Sequence, residues 1–356
     1  MKLLLPLLSL LIALAPLRAA TIELVAGGGT AEKDAPAKEC ALREPFGVEF
    51  NAAGEMIIVE MTKGERVLKV GKDGMLRVIA GTGVKGYSGD GGPATAAQVN
   101  GIHNLQIAPN GDLLIADSFN HTLRKLDPKT GVITTLAGNG KGGFAGDGGP
   151  ANDAQFATLI QIALDPAGKQ IFCADIGNKR VRKIDLASGV VTTVAGNGKS
   201  GVPTDGATAT EAPLVDPRAV TPDAAGGFYV LERNGNALRY VDAAGKIKTV
   251  VGTGAKGLSG DGGPGLQATM SGPKYTQLDR DGTVLICDAE NHVIRRYDPK
   301  TGVITRVAGT GKAGAAGVGG DPLQCELRRP HGVTVGPDNA LYITDSYNDR
   351  ILKIAR

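Results

Sequence analysis

An acidic residue recurs about every 57 residues along the chain, and each copy closes a short apolar run. In the second copy the apolar run at 114–116 precedes Asp117. The six acids are Glu60, Asp117, Asp175, Glu232, Asp288 and Asp345. A period of this size is typical of propellers and solenoids, in which each repeat is a small unit that buries its faces only against its neighbours. The repeat therefore constrains the architecture more than any single motif does.

One repeat predicts a four-stranded antiparallel meander. In the second copy, turns at 110–111, 118–121 and 128–131 separate four segments that are rich in apolar and β-branched residues. Asx-Gly and Pro-x-x-Gly clusters between such segments are typical of hairpins. The apolar run before each acid predicts a second strand that is buried on both faces. A marker like the Leu-Ala-Gly at 136–138 ends the fourth strand of each repeat.

The two ends of the chain indicate how the repeats close into a ring. Residues 351–354 have the pattern of a third strand, so the sixth repeat lacks its fourth strand. Residues 21–27 have the fourth-strand pattern at the other end of the sequence. Pairing these segments covers two open sheet edges, whereas an open stack would leave their backbone groups unpaired. We therefore predict an all-β fold over residues 21–356, a six-bladed β-propeller of four-stranded antiparallel blades closed by the N-terminal strand.

The turn after the second strand resembles the NHL repeat. Residues 117–123 and 288–294 carry its Asp-x-x-Asn-His pattern, and residues 345–351 are a close variant. The Gly-rich insert at 88–94 and its copies resemble those of secreted bacterial NHL-repeat proteins. The resemblance extends over residues 21–356 and implies the propeller fold, although the first repeat, with residues 61–66, lacks the Asn-His pair. It implies little about activity, because propellers carry many unrelated functions.

Residues 1–20 predict a secretory signal peptide. Lys2 precedes an apolar run at 3–14, and Pro16 and the small residues 19–20 follow. This order is typical of the charged, hydrophobic and cleavage segments of such a peptide. The apolar run is shorter than a typical membrane span, and an uncleaved anchor is the alternative. We expect a periplasmic or secreted protein with no membrane span after cleavage.

Charge and composition argue against nucleic acid as a partner. The chain has 39 Lys and Arg against 36 Asp and Glu, and loss of Lys2 and Arg18 with the leader brings it close to neutral. Nucleic-acid binding depends on neutralising phosphates, which a near-neutral chain does poorly. The chain has no Trp and only 4% aromatic residues, whereas surfaces that stack bases or sugars need aromatic rings.

The four cysteines fall into two groups. Cys40 and Cys325 both stand two residues before the Leu of a Leu-x-x-Pro-x-Gly segment, in blades that are neighbours in a closed ring. Because an oxidising compartment permits disulfides, we predict a Cys40–Cys325 bridge, with two separate thiols as the alternative. Cys173 and Cys287 lie on second strands and are expected to be inert core residues.

The residue that enters each first strand is the candidate ligand-binding site. First strands line the central channel of a propeller, and here each follows a Gly-rich insert of roughly twenty residues. The six entering residues are Phe46, His103, Ile160, Arg218, Lys274 and His331. The consecutive Arg218, Lys274 and His331 predict a cationic arc that holds a carboxylate or other anion at the channel mouth. The alternative is that Arg218 and Lys274 pair with nearby acids in a wet channel.

No metal cofactor is expected. The segment 330–332 resembles a zinc-binding feature of the peptidyl-amidoglycolate lyase propeller, in which histidines from three alternate blades hold one metal. Here alternate blades carry His103, Arg218 and His331, and a catalytic zinc usually needs three protein ligands. His103 and His331 are thus weak zinc candidates. Gluconolactonase-like propellers imply a Glu, Asn and Asp set, for which the nearest candidates are Asn104 and Gln161.

The repeated acids are expected to be structural, because an active site rarely needs six copies of one residue. We predict that each acid accepts backbone N–H groups in the turn after the second strand, and that His121 and His292 in that turn are structural. Each copy of the short Gly-rich motif seen at 88–94 offers a single Asp, which is too few for a calcium loop and is expected to stabilise a turn. These residues are Asp90, Asp147, Asp205, Asp261 and Asp321.

The sequence favours a binding module outside the cytoplasm. Long loops on one face of a rigid ring are typical of binding surfaces, so the expected partner is a protein or an anionic small molecule at the loop-rich face and channel mouth. The alternative is a propeller enzyme, a lyase or lactonase of the amidoglycolate lyase or gluconolactonase type, with its active site in the channel. One tightly held metal ion per chain would favour the enzyme.

Overall fold

The computed structural model describes residues 20–356, in which six small antiparallel sheets follow one another in chain order. The first strands of successive blades contact each other, and the cycle closes between the sixth and the first blade. The predicted leader at 1–20, apart from Ala20, lies outside the described residues. Within the described part of the chain no helix is long and apolar enough to cross a membrane.

Each blade is a meander of four strands, as predicted. The strands of blades one and two are Pro45–Phe50, Met56–Glu60, Arg66–Val70, Met75–Ala80, then Ile102–Ile107, Leu113–Asp117, Thr122–Leu126 and Ile133–Ala137. Those of blades three and four are Leu159–Leu164, Gln170–Asp175, Arg180–Asp185, Val191–Ala195, then Pro217–Pro222, Phe228–Glu232, Ala237–Val241 and Ile247–Val251. Those of blades five and six are Tyr275–Leu278, Val284–Asp288, Val293–Asp298, Val303–Ala308, then Gly332–Val335, Leu341–Asp345, Arg350–Ile354 and Ile22–Gly27.

Short elements accompany these blades. Two-residue strands from the inserts extend the sheets of blades one and five at Ala35–Pro36 and Gly263–Pro264. The helices found in residues 20–356 are single 3₁₀ turns, at Ala37–Glu39, Ala94–Ala96, Ser118–Asn120, Ile176–Asn178, Gly265–Gln267, Ala289–Asn291, Pro322–Gln324 and Ser346–Asn348.

The N-terminal strand completes the sixth blade, which confirms the predicted closure. Ile22–Gly27 pairs antiparallel with Arg350–Ile354, with Ile22 opposite Ile354. Ile22 is fully buried in the apolar cluster between blades five and six. The two ends of the described chain thus hold each other in one sheet, and the N-terminal strand covers the edge that Arg350–Ile354 would otherwise present.

The second strands form the centre of the apolar core. Residues of all six are buried on both faces, because each sheet is packed between two others. Six apolar clusters fill the spaces between neighbouring blades, one for each interface. Cys173 and Cys287 are fully buried in two of these clusters, as predicted for inert core residues.

The repeated acids are structural, but the prediction of their partners was wrong. Asp117 is fully buried and accepts the backbone N–H of Asn100 at 2.7 Å, in the segment that enters the first strand of its own blade. Its carboxylate accepts no backbone N–H of the 3₁₀ turn that follows it. The physical reason is sheet order: the second strand lies beside the first, so its last side chain reaches the entry of that strand. The other five acids accept the equivalent N–H groups.

A buried arginine on the third strand completes this network. Arg124 contacts Asp117 at 3.4 Å and the insert residue Asp90 at 2.7 Å. Asn120 donates to Asp117 at 2.9 Å and to the Gly86 carbonyl of the insert at 2.8 Å. The insert is therefore tied to the blade by charge-assisted bonds. Pairing with a third-strand arginine, rather than turn stabilisation, is thus the main role of Asp90, and the same holds for Asp147 with Arg182 and Asp261 with Arg295.

The predicted Cys40–Cys325 disulfide is not formed in the structure. Both thiols are free and buried. Cys40 packs in the cluster between blades six and one, and Cys325 packs in the cluster between blades five and six. Equivalent positions of adjacent repeats are separated by one blade spacing, and here the sheet of blade six lies between them. The alternative of two separate thiols describes the structure.

Deeper in the channel the first strands carry polar side chains. Glu49 of blade one accepts a bond from Gln106 of blade two at 2.9 Å. Removal from water raises the pKa of the Glu49 carboxyl to about 8. The hydrogen bond from the Gln106 side chain lowers this pKa, but only in part. Among the described residues, Asn104 Nδ2 and Gln161 Oε1 are buried without a hydrogen-bond partner. In this part of the channel, burial therefore favours the neutral form of the Glu49 carboxyl group.

The buried acid network predicts a large loss of stability in Asp175→Ala. The change leaves the fully buried Arg182 without one of its two carboxylates and the Ala157 N–H without an acceptor. We expect unfolding free energy to fall by about 3–5 kcal/mol, measured by urea denaturation. The exposed Asp153→Ala is the control, with an expected change within about 0.5 kcal/mol. Equal effects of the two variants would contradict the network's role.

The raised pKa of Glu49 predicts a pH-dependent gain of stability in Glu49→Gln. The folded pKa of about 8 exceeds the unfolded value of about 4.3, so the wild type loses stability as pH rises between them. The neutral Gln removes this loss. The variant should match the wild type near pH 4 and exceed it by at least about 1 kcal/mol near pH 8 in urea denaturation. Exposed Glu23→Gln is the control, and a gain independent of pH would overturn this account.

Candidate functional site

The six predicted entering residues all line one cavity of about 380 Å³. This cavity, with Phe46, His103, Ile160, Arg218, Lys274 and His331 in its wall, is called the channel mouth below. Each of these residues lies three positions after the backbone N–H that a repeated acid accepts. The buried acids therefore fix the entry of every first strand, and through it the position of every side chain in the ring.

The backbone just before the mouth is bent in a repeated way. The residue two positions before the entering residue has a left-handed conformation in five blades, at Glu44, Gly101, Thr158, Gly272 and Arg329. A positive φ is costly for a β-branched residue such as Thr158, so surrounding bonds must hold it. Its N–H donates to Nδ1 of His121 in the preceding blade at 3.0 Å. The Arg329 N–H likewise donates to His292 at 3.1 Å, which gives both histidines the predicted structural role.

The two histidines of the mouth are neutral, so the predicted cationic arc does not include His331. Nδ1 of His103 lies 2.9 Å from the Gly101 carbonyl, and Nδ1 of His331 lies 2.8 Å from that of Arg329. A carbonyl can only accept, so Nδ1 carries the proton and Nε2 keeps a lone pair. Burial, with the nearby cations, lowers the pKa of His103 to about 3 and that of His331 well below its usual value.

Aromatic rings pack around these histidines. Phe46 stacks on His331 with ring centroids 4.0 Å apart, and it meets His103 edge to face at 5.3 Å. Phe119 packs against the other side of His103 at 5.4 Å, and Tyr347 stacks on His331 at 5.7 Å. Blades six, one and two therefore contribute an aromatic wall whose ring positions are fixed by mutual contact.

Arg218 is a buried cation that lies outside any ion pair of the described residues. Arg218 is only 6% exposed and forms no ion pair among residues 20–356. Its Nε also has no hydrogen-bond partner among these residues. Burial, and then the charge of Arg233, lowers the pKa of Arg218 to about 9, so the guanidinium remains protonated at neutral pH. The alternative in which nearby acids neutralise Arg218 is therefore not what the structure contains.

The other cations of the mouth are paired. Lys274 Nζ lies 2.9 Å from Glu290, which also binds Arg329 at 2.6 Å. Arg233 binds Asp216 at 2.7 Å. The alternative of pairing with acids thus holds for Lys274. Arg218 is the residue of this group whose charge remains available to a ligand.

A second ring of residues was missed by the sequence reasoning. Its members stand one or two positions after the repeated acid. The turn between the second and third strands of each blade brings them to the rim of the channel mouth. They are Met61, Phe119, Ile176, Arg233, Glu290 and Tyr347. The sequence feature that identifies them is variation: within an otherwise repeated turn, these positions differ in chemistry from blade to blade. Loop positions that vary on a rigid scaffold are where specificity is usually set.

The residues present do not fit a catalytic zinc. His103 and His331 reach the same cavity, but the third alternate blade supplies Arg218, which repels a cation. Nowhere in residues 20–356 do three or more His, Cys, Asp or Glu side chains gather as a metal ligand group. The Asp residues of the inserts are committed to ion pairs with arginines in three blades.

One segment of the chain matches a known repeat model. A family model described as NHL repeat matches residues 327–354, in the last blade. NHL repeat-containing protein 2 from Bos taurus is 24% identical over 336 residues, an alignment that includes 86% of this chain and 46% of that protein. The chain therefore spans less than half the length of this curated relative.

Solved structures share the architecture at low sequence identity. An auxiliary nutrient binding protein from Bacteroides thetaiotaomicron superposes with a TM-score of 0.69 at 15% identity, covering 94% of this chain and 76% of that one. Virginiamycin B lyase from Staphylococcus aureus superposes with a TM-score of 0.53 at 13% identity, covering 95% and 99%. At such identities the likeness concerns the fold alone. Together with the six sheets, it shows that this chain is a six-bladed β-propeller, and residues 327–354 of its last blade match the NHL repeat model.

Proposed function

We propose that this propeller is an extracytoplasmic binding protein that holds a small anionic molecule at the channel mouth. The observation that carries the proposal is the buried, unpaired guanidinium of Arg218. A buried charge without a partner costs several kcal/mol of folding free energy, so an isolated case needs a compensating role. An anion bound to Arg218 supplies the missing partner, and the surrounding low dielectric strengthens that bond.

Several features support a small ligand over a protein partner. The group that needs a counter-ion lies inside a cavity of about 380 Å³, which is within the usual range for small-molecule sites. A protein surface would reach Arg218 only through an inserted side chain. The proposal is also supported by a solved structure of the same fold that is described as an auxiliary nutrient binding protein. The leader pattern at residues 1–20 supports a location outside the cytoplasm.

A second candidate function, a lyase, is favoured by one observation. His331 faces the same cavity as Arg218, and its neutral ring keeps a lone pair on Nε2. Such a nitrogen can take a proton from the carbon next to a carboxylate held by Arg218. The electron pair of that C–H bond would form a carbon–carbon double bond as the leaving group departs. This chemistry needs no metal, although one tightly held ion per purified chain would favour an enzyme.

The binding proposal predicts opposite effects on affinity and stability in Arg218→Met. Loss of the guanidinium should weaken binding of a carboxylate such as acetate by at least about tenfold in calorimetric titration. It should also raise the melting temperature of the ligand-free protein, because a desolvated, unpaired charge is removed. Arg77→Met, on an outer strand and paired with Asp73, is the control and should leave binding unchanged.

A variant that loses stability and binding together would instead mean that Arg218 has a structural role. Lys274→Ala separates the contributions further. Because Lys274 is neutralised by Glu290, its removal should weaken binding less than removal of Arg218 does. Equal losses in the two variants would contradict the assignment of the free charge to Arg218.

Product analysis distinguishes the binder from the lyase. We expect a bound carboxylate to be recovered unchanged by mass spectrometry after prolonged incubation with the purified protein. Should a product form, His331→Asn identifies its source, because Asn cannot accept the proton but leaves Arg218 in place. If His331→Asn loses turnover but keeps its affinity for the carboxylate, the protein is a lyase and the binding proposal is wrong.

A further inference from the structure

The channel mouth is divided into an apolar half and a charged half. Blades one, two and three line it mainly with the aromatic and aliphatic side chains of Phe46, Met61, Phe119, Ile160 and Ile176, and Glu44 and Thr158 are polar residues at its edge. Blades four and five contribute the charged side chains Arg218, Arg233, Lys274 and Glu290. A small hydrophilic anion would contact only the second half and would leave the first half hydrated.

One buried cation of the charged half lies outside any ion pair in the described part of the chain. Arg233, Lys274 and Arg329 are each paired with a carboxylate. Arg218 is buried and forms no ion pair among residues 20–356. A ligand with a single carboxylate supplies the partner that Arg218 lacks, whereas a second negative charge on the ligand would meet only cations that are already paired.

The guanidinium also selects the shape of the anion. A planar fork of N–H groups matches the two oxygens of a carboxylate, and it does so with better geometry than a single point charge offers. Nε of Arg218 is one of the buried donors without a partner in the described chain. The favoured charged group of the ligand is therefore a carboxylate.

The apolar half provides a surface that a ligand would cover. Phe119 is 40% exposed at the rim, although most large apolar residues of the protein are buried. Its ring is held edge to face against His103, and Phe46 is fixed between His103 and His331. Such pre-positioned rings favour a flat ligand, because stacked and edge-to-face contacts require no rearrangement of the wall.

We propose that the ligand is an aromatic monocarboxylate, with its carboxylate on Arg218 and its ring against the wall of blades one to three. This inference rests on the proposed anion-binding function and specifies its ligand class. The site is about 380 Å³ in volume, which suits a compact molecule better than a long chain. Both halves are needed to define this class, because the charged half selects the carboxylate and the apolar half selects the aromatic ring.

Calorimetric titration of the purified protein with four probes tests this inference. The probes are phenylacetate, acetate, inorganic phosphate and benzyl alcohol. Phenylacetate should bind about 30-fold or more tightly than acetate, since its ring removes additional apolar surface from water. Phosphate should bind more weakly than phenylacetate, and benzyl alcohol, which lacks the charge, should bind weakly or not at all.

A matched pair of phenylalanine variants tests the role of the wall. Phe119→Ala should weaken phenylacetate binding about fivefold or more while leaving acetate binding unchanged. Phe144 is similarly exposed, but it lies on an insert and does not line the mouth, so Phe144→Ala should change neither ligand's affinity. Both positions are exposed, so neither substitution is expected to prevent folding.

The outcomes separate this inference from the function on which it rests. If acetate and phenylacetate bind with equal affinity, and both depend on Arg218, that result would contradict the aromatic ligand class but would support the anion site. Phosphate as the tightest Arg218-dependent probe would do the same. If no probe anion binds in an Arg218-dependent manner, or benzyl alcohol binds as tightly as phenylacetate, then the anion-binding function itself is wrong.

Discussion

The buried carboxylate at the end of each second strand is the interaction on which the rest of the ring depends. It binds the N–H of the residue that leads into the first strand, and it is neutralised by an arginine from the third strand in blade after blade. A carboxylate in this position ties together strands one, two and three of its own sheet. Through the asparagine and the insert aspartate it also holds the Gly-rich connection. The position of each mouth residue follows from this bond, three residues further along the chain.

Against this pattern of paired charges, Arg218 stands apart. The other buried arginines of the described chain each contact at least one carboxylate, and Arg124, Arg182 and Arg295 each contact two. Folding has therefore placed every one of those guanidinium groups where its desolvation is offset. Arg218 retains the cost of burial without the offset, and functional sites are where proteins retain such local costs.

The irregularity extends to the junction that carries Arg218. In five blades the left-handed residue before the mouth donates its N–H to an acceptor of the preceding blade, as Thr158 does to His121. At the junction of blades three and four the acceptor position is Lys179, whose ammonium can only donate. The matching residue Asp216 does not adopt the left-handed conformation and binds Arg233 with its side chain instead. In the described chain, the bond that links the start of each first strand to the preceding blade is therefore missing at blade four, which carries Arg218.

The sequence alone determined the architecture, because the spacing of the acids, the turn residues and the split fourth strand are local patterns that only one closed ring satisfies. It also determined which residues reach the channel mouth, since the repeat carries one geometry into all six blades. Charge states and pairings were decided by the tertiary structure. Whether Arg218 has a partner, whether His331 is neutral and whether Cys40 meets Cys325 depend on distances between blades and on exclusion of water. A repeat period fixes positions within a blade, but it carries no information about which side chains of different blades come within bonding distance.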